Sequence, residues 1–218
     1  MRRLFIVLIL VCIMSVITAF TPFSDNGYRF DINDLYDYER QFESEEIDVC
    51  SMSDVKTYMD YRMTTLRSSR QYQFLNYECT VDRKTGFMYD EDGFIAVALG
   101  SHYGEIGDRF YFTLDSGIVL PLVKGEEKAD VDTDSTGCYH MIDGSVIEFV
   151  INDDYAYEYF GGGNGYPLNG NYNNYHLFRG GIVKVERVLD KKKDDIVTFK
   201  NNISEPKKWD IFHYGSGY

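Results

Sequence analysis

Gly93-Phe94-Ile95-Ala96-Val97-Ala98-Leu99-Gly100 is the stretch on which the fold turns. A short apolar run closed by glycine at both ends reads as a buried strand. Downstream, Phe110, Phe112 and Leu114 alternate with Tyr111 and Thr113, and Asp115-Ser116-Gly117 turns the chain into the apolar run Ile118 to Val123. Val146, Glu148 and Val150 alternate with Ile147, Phe149 and Ile151; Ile182 to Leu189 and Ile196 to Phe199 supply two more short strands. Strands of this length between turn residues predict a mainly β domain over residues 71–200, a small barrel or sandwich.

Upstream the period changes. Ser51-Met52-Ser53-Asp54 has the form of a capping box, and Val55, Tyr58, Met59, Arg62, Met63 and Leu66 follow at three- and four-residue steps. One amphipathic helix is expected within 49–70, ended by Ser68-Ser69. Residues 20–48 carry nine acids against Arg29 and Arg40, with Phe and Tyr scattered without period, and read as a solvated acidic linker. Met1-Arg2-Arg3 and the apolar run Leu4 to Phe20 form a secretory signal pattern, with Ile17-Thr18-Ala19 as cleavage context and residues 1–19 removed. The competing reading is an uncleaved anchor, through which alone the chain would meet a membrane. Residues 201–218 are left as a C-terminal tail. A secreted or cell-surface location follows from the leader.

The 218 residues include 19 Tyr, 15 Phe and one Trp, an excess that argues against general disorder. Asp plus Glu number 35 against 22 Lys plus Arg, a formal charge of −13 that disfavours nucleic acid as a partner, since phosphate neutralisation supplies most of that affinity. Removal of the leader leaves Cys50, Cys79 and Cys138, enough for one internal bridge, or for buried thiols. Their spacing does not suit zinc, and no motif calls for a metal or cofactor. Gly161-Gly162-Gly163, Asn164-Gly165 and Asn169-Gly170 mark 161–174 as a long surface loop; without a following Lys or the strand–loop–helix context it is no phosphate cradle.

Chemistry concentrates in Lys128-Ala129-Asp130-Val131-Asp132-Thr133-Asp134-Ser135, followed by Tyr139-His140 and Asp143-Gly144. In an extended segment Asp130, Asp132 and Asp134 would share one side, where mutual repulsion raises a carboxyl pKa and makes a general acid. The same carboxylates could gather calcium, although Ser135 stands where the calcium-loop signature needs glycine, and a solvated charged loop is the plain alternative. His140 beside them could orient or protonate a reacting group, or make one structural hydrogen bond.

The block Gly93–Ile151 resembles the double-psi β-barrels of the three-Asp domain, rare lipoprotein A and expansin group, and uncharacterised exported proteins of Gram-positive bacteria. Ile106-Gly107-Asp108-Arg109 matches the element leading into a strand, Asp132-Thr133 the D-T element, and Ile147-Glu148-Phe149 the last strand, with Glu for Asp. The resemblance implies a six-stranded double-psi barrel, here preceded by the helix, whose acidic groove acts on cell-wall glycan. By position Asp132 would be the acid, assisted by Asp134 or Glu148, with His140 nearby. Two functions stay open: a module that binds peptidoglycan or a surface protein without turnover, and a peptidoglycan-cleaving enzyme. Asp130, Tyr166 and Tyr175 are the candidate ligand contacts, with the tyrosines as stacking platforms or, equally, as a clasp over the barrel end.

Overall fold

The computed structural model describes residues 31–192; the expected leader, the strand at Ile196–Phe199 and the tail 201–218 lie outside the described residues. Among the described residues nine strands form one mixed sheet: β1 (Phe42–Ile47), β2 (Lys56–Asp60), β3 (Thr80–Val81), β4 (Met88–Tyr89), β5 (Ile95–Leu99), β6 (Arg109–Leu114), β7 (Val119–Glu127), β8 (Ile147–Ile151) and β9 (Ile182–Lys192). The order is β1-β9-β6-β7-β5-β4-β3, and β8 joins β5 and carries β2 on its far side. The β5–β7 and β2–β8 pairs are parallel, the others antiparallel.

β5, the run flanked by glycines, is fully buried and sits where the sheet branches. One edge pairs with β7; the other is shared, Ile95 with Tyr89 of β4 and Val97 and Ala98 with Phe149 and Glu148 of β8. Because the path runs out at β1, β3 and β2 instead of returning on itself, the sheet is not closed. The expected six-stranded closed barrel is replaced by a mainly β, nine-stranded open sheet.

Side chains alternate between its faces with the period of two that strands impose. Ile95, Val97 and Leu99 join Phe110, Phe112, Leu122, Ile147 and Phe149 in one buried cluster, while Ala96, Tyr111, Val123 and Val150 meet on the opposite face. Each of the larger apolar side chains contributes about 1.5–3 kcal/mol by leaving water. Phe74 and Leu75 cover part of the second face, delivered by the short helix α1 (Arg70–Gln73) and the wide turn that follows it. The helix α2 (Asp153–Phe160) leaves β8 with Asn152 as its cap, the Asn side chain accepting from the Tyr155 N–H.

Two upstream segments differ from the sequence reading. Residues 49–70 hold no amphipathic helix: Lys56–Asp60 is β2, and Tyr61–Met63 is a single 3-10 turn. Parallel pairing to β8 sends Tyr58 toward Phe149's cluster and Met59 toward Val150's, while Met63 and Leu66 are left exposed. The three-and-four spacing was thus the overlap of a strand's two faces with two solvent-facing residues. Within 20–48, the described part is not a linker in water. Asp31 and Asp34 form a reciprocal capping box around the 3-10 turn Ile32–Asp37, Ile32 and Leu35 are buried, and β1 pairs along β9. The apolar residues there are few, but Ile32, Leu35 and Phe42 have places in the core, while Tyr36 stays exposed.

Candidate functional site

A bulge in β7 creates the most polar part of the second face. Val97 pairs with Lys124, but Ala98 pairs with Glu126, so Gly125 is the extra residue. A Cβ at Gly125 would stand 2.9 Å from Leu75 Cδ2 and 3.3 Å from Ala96 Cβ, so a side chain there would have to displace the buried Leu75. Without the extra residue Glu126 would point into the Phe149 cluster; with it, Glu126 turns to the face of Ala96 and Ala98. Glu148 pairs with Ala98 from the other side and with Thr57 beyond. Two carboxylates therefore stand on one face with a methyl group between their strands, their backbones about 10 Å apart across two strand spacings.

Their partners differ. Thr64 Oγ1 donates to Glu126 Oε2 at 2.8 Å and Gln71 Nε2 to its Oε1 at 2.7 Å, so Glu126 anchors the segment that crosses this face. Burial pushes its carboxyl above the usual range, and the charges of Glu148 and Glu127 add to that. Glu148 is likewise pushed up by burial, and Asp143 adds to the rise; Lys128 and His140 oppose it. Lys128, itself 6% exposed, donates from Nζ to Ser145 O (2.9 Å) and Ser145 Oγ (3.1 Å), and burial lowers its pKa while Glu148 and Asp143 hold it up. His140 Nδ1 lies 3.1 Å from Asp143 Oδ1. Against its own burial penalty, the Ser145 N–H and hydroxyl and His140 keep Asp143 below the usual carboxylate value.

The three alternating aspartates do not line one side of a strand. Residues 130–132 form a turn, closed by the Asp132 N–H donating to Ala129 O and the Thr133 N–H to Asp130 O. Asp130 is exposed and accepts from Ser101 Oγ at 3.0 Å. Asp132 is exposed and absent from the charges surrounding Glu148. Asp134 accepts from Thr136 Oγ1 and N–H and from the Cys138 and Tyr139 N–H groups, and these donors hold it far below the usual carboxylate range. A carboxylate so held braces a turn and is a poor proton donor. The turn is also tied to the rest of the chain by the Cys50–Cys138 disulfide, while Cys79 is free. Of the sequence candidates, His140 acts on Glu148 and bridges to Thr133 between Asp132 and Asp134, whereas the carboxylates of Asp130, Asp132 and Asp134 are not among the charges that act on Glu148.

The tyrosine candidates belong to the other face. Tyr172 is fully buried among Phe87, Phe149, Phe160 and Phe178. Tyr175 packs at the margin of that group, 5.1 Å from Phe160 and 5.5 Å from Phe178 between ring centroids, and burial together with Tyr159 pushes its hydroxyl up to about 12. Tyr166 alone of the named pair is open to solvent, 56% exposed, with Tyr58 6.5 Å behind its ring. Gly162 has no room for a side chain, a Cβ there falling 1.3 Å from Tyr166 O, and Leu168 is held at φ 46. The backbone around Tyr166 is thus closely determined.

Lys128 and Asp143 belong to the polar run marked in the sequence but carry no assigned role there, and Glu126 is not marked at all. The signal for Glu126 was Gly125 within an apolar strand, a recognised mark of a bulge. Among the described residues no group of three His, Cys, Asp or Glu side chains is placed to hold a metal ion. Comparison of the chain with protein-family models, curated proteins and solved structures finds no match.

Proposed function

We propose that this protein is an exported, cell-wall-associated β module that binds wall glycan or a surface partner without turnover. Tyr166 carries the reading: an aromatic ring presented to solvent, backed by Tyr58, on a loop whose conformation leaves it little freedom. Such a ring offers a sugar face an apolar platform at small entropic cost. The leader pattern and the Cys50–Cys138 bond support export, because disulfides persist in oxidising compartments. Kinship with the double-psi group is part of the proposal, supported by Ile106-Gly107-Asp108-Arg109 leading into β6.

The way the acids are used supports binding without turnover. Glycoside cleavage needs one protonated carboxyl and one free carboxylate about 5–9.5 Å apart. Glu148 fits the first role, but both oxygens of Glu126 are taken, Asp134 is fully engaged, Asp143 is bound to the Ser145 N–H and lies beside His140, and Asp132 is not among the charges that act on Glu148. The second reading, a wall-cleaving enzyme with Glu148 as acid, rests on its raised carboxyl, since the raised carboxyl of Glu126 is held by Thr64 and Gln71. The test is co-sedimentation with purified wall, with assay of soluble muropeptides. We expect the protein to sediment, Tyr166→Ala to weaken binding by roughly tenfold, about 1.4 kcal/mol, and no fragment to be released. Release that Glu148→Gln abolishes would overturn the binding reading in favour of the enzyme.

A further inference from the structure

The turn region 129–145 exposes apolar side chains that the sheet does not need. Val131 is 81% exposed, Met141 59% and Ile142 88%. They are brought together because the Met141 N–H donates to Asp132 O at 2.8 Å and Thr133 bridges to His140, so the two arms of the loop run side by side. The arms are not free to fold these side chains inward. Asp134 fixes one bend, the disulfide fixes Cys138, and the His102 N–H donates to Gly137 O at 3.1 Å. A rigid loop that holds apolar side chains in water gains nothing for its own fold, and such exposure marks contact with another molecule.

The charge around the patch says which kind. Asp130 and Asp132 flank Val131, Asp143 follows Ile142, and no Lys or Arg occurs from 129 to 146. An anionic bilayer would be repelled, and a second copy would bring like charges together. We infer that Val131, Met141 and Ile142 form a docking site for a protein segment that presents apolar side chains flanked by Lys or Arg. The inference gives chemistry to the surface-partner half of the proposed function, and its test uses no wall, so either can fail alone.

The experiment titrates the purified protein with a synthetic amphipathic peptide of Leu and Lys, followed by fluorescence anisotropy. Expected are saturable binding, weakening by roughly tenfold or more in Val131→Ser/Ile142→Ser, and comparable weakening in Asp130→Asn/Asp132→Asn. High salt should reduce the affinity of the parent and leave little difference between it and the aspartate variant. These are surface substitutions, and unchanged melting confirms that the fold is kept. Equal binding by the serine variant would mean that net charge alone attracts the peptide, and would overturn the inference. So would self-association in sedimentation that the serine substitutions abolish, or binding of the parent to zwitterionic or anionic vesicles in place of the peptide.

Discussion

Loop 129–145 and loop 161–174 lie on either side of β8 in the chain, and each is dense in residues that chemistry uses. In the first, the polar groups are the working parts of the scaffold. Asp134 collects four donors, and Lys128 and Asp143 both bond to Ser145. Val131, Met141 and Ile142 are left outside. In the second, the aromatics are the scaffold, with Tyr172 and Tyr175 packed against Phe160 and Phe178, while glycine and asparagine shape the path and Tyr166 is left outside. The difference teaches that a residue's type does not decide its work; what matters is whether the fold has already satisfied it.

The largest expected effect tests the inward half of that contrast. Tyr172→Ala should cost about 3–5 kcal/mol in urea unfolding, as truncation of a fully buried ring does. Asp132→Ala should stay within about 0.5 kcal/mol, as exposed positions do. Similar losses in the two variants would break the comparison. Tyr172→Phe sharpens it: the Tyr172 hydroxyl is buried without a hydrogen-bond partner among the described residues, so removing it should be neutral or stabilising by about 1 kcal/mol.

Next in size is the bridge. Cys50→Ala/Cys138→Ala should lower stability by about 2–4 kcal/mol, since the bond closes a sequence separation of 88. Limited proteolysis should then open 129–145 before 161–174, because only the first loop is tied by the disulfide. Equal resistance of 129–145 with and without the bridge would show that Asp134 alone holds it.

How much of this could be read in advance follows the range of the interactions. Phe94–Leu99, Phe110–Leu114, Val146–Ile151 and Ile182–Leu189 were legible because each carries its burial in its own pattern, and β5, β6, β8 and β9 contain all of them but the first residues Phe94 and Val146. The extension of β7 through Glu127 was not, since Lys124 and Glu126 look like the end of a strand. Lys124 can be buried because Gly100 O and Gly104 O are brought to its Nζ by a turn distant in sequence, alongside Glu127 of its own strand. β2 was missed for the same reason: Lys56–Asp60 becomes a strand only when β8 is beside it. At the site, Glu148 was visible as a polar residue in an alternating strand and Gly125 hinted at the bulge, whereas the setting of Glu148 beside Lys128, and of Glu126 across Ala98, depends on a three-strand register that no local pattern contains.

Asp134 gives the third effect, read through pH. Its folded pKa is depressed by the Thr136 hydroxyl and the neighbouring N–H groups, so its contribution is present above the ordinary Asp value and is lost as pH falls below about 4. Asp134→Asn should melt lower than wild type at neutral pH, and the gap should narrow on acidification. A gap that stays constant with pH would mean that the shape of the side chain, not its charge, braces the turn.

Glu148 should show the opposite slope with the smallest amplitude. Its folded pKa is raised, by burial first and by Asp143 after it, so the fold favours the protonated acid. The corresponding stability is present below the ordinary Glu value, about 4.3, and is lost as pH rises through the folded pKa. Glu148→Gln, neutral throughout, should match wild type in acid and melt higher above it. Lys128 works against this, because removal of the Glu148 charge takes away one of the two carboxylates that hold its buried ammonium protonated. The raised pKa says that burial outweighs this pairing, so the variant should still gain. Lys128→Met should enlarge the slope in wild type by removing the attraction that offsets burial, and Lys128→Met/Glu148→Gln should abolish it. A wild type that instead becomes more stable as pH rises through this window would show that the Lys128–Glu148 attraction wins. Glu148 would then be one more satisfied carboxylate, like Asp134, and the enzyme reading would lose the one group that supports it.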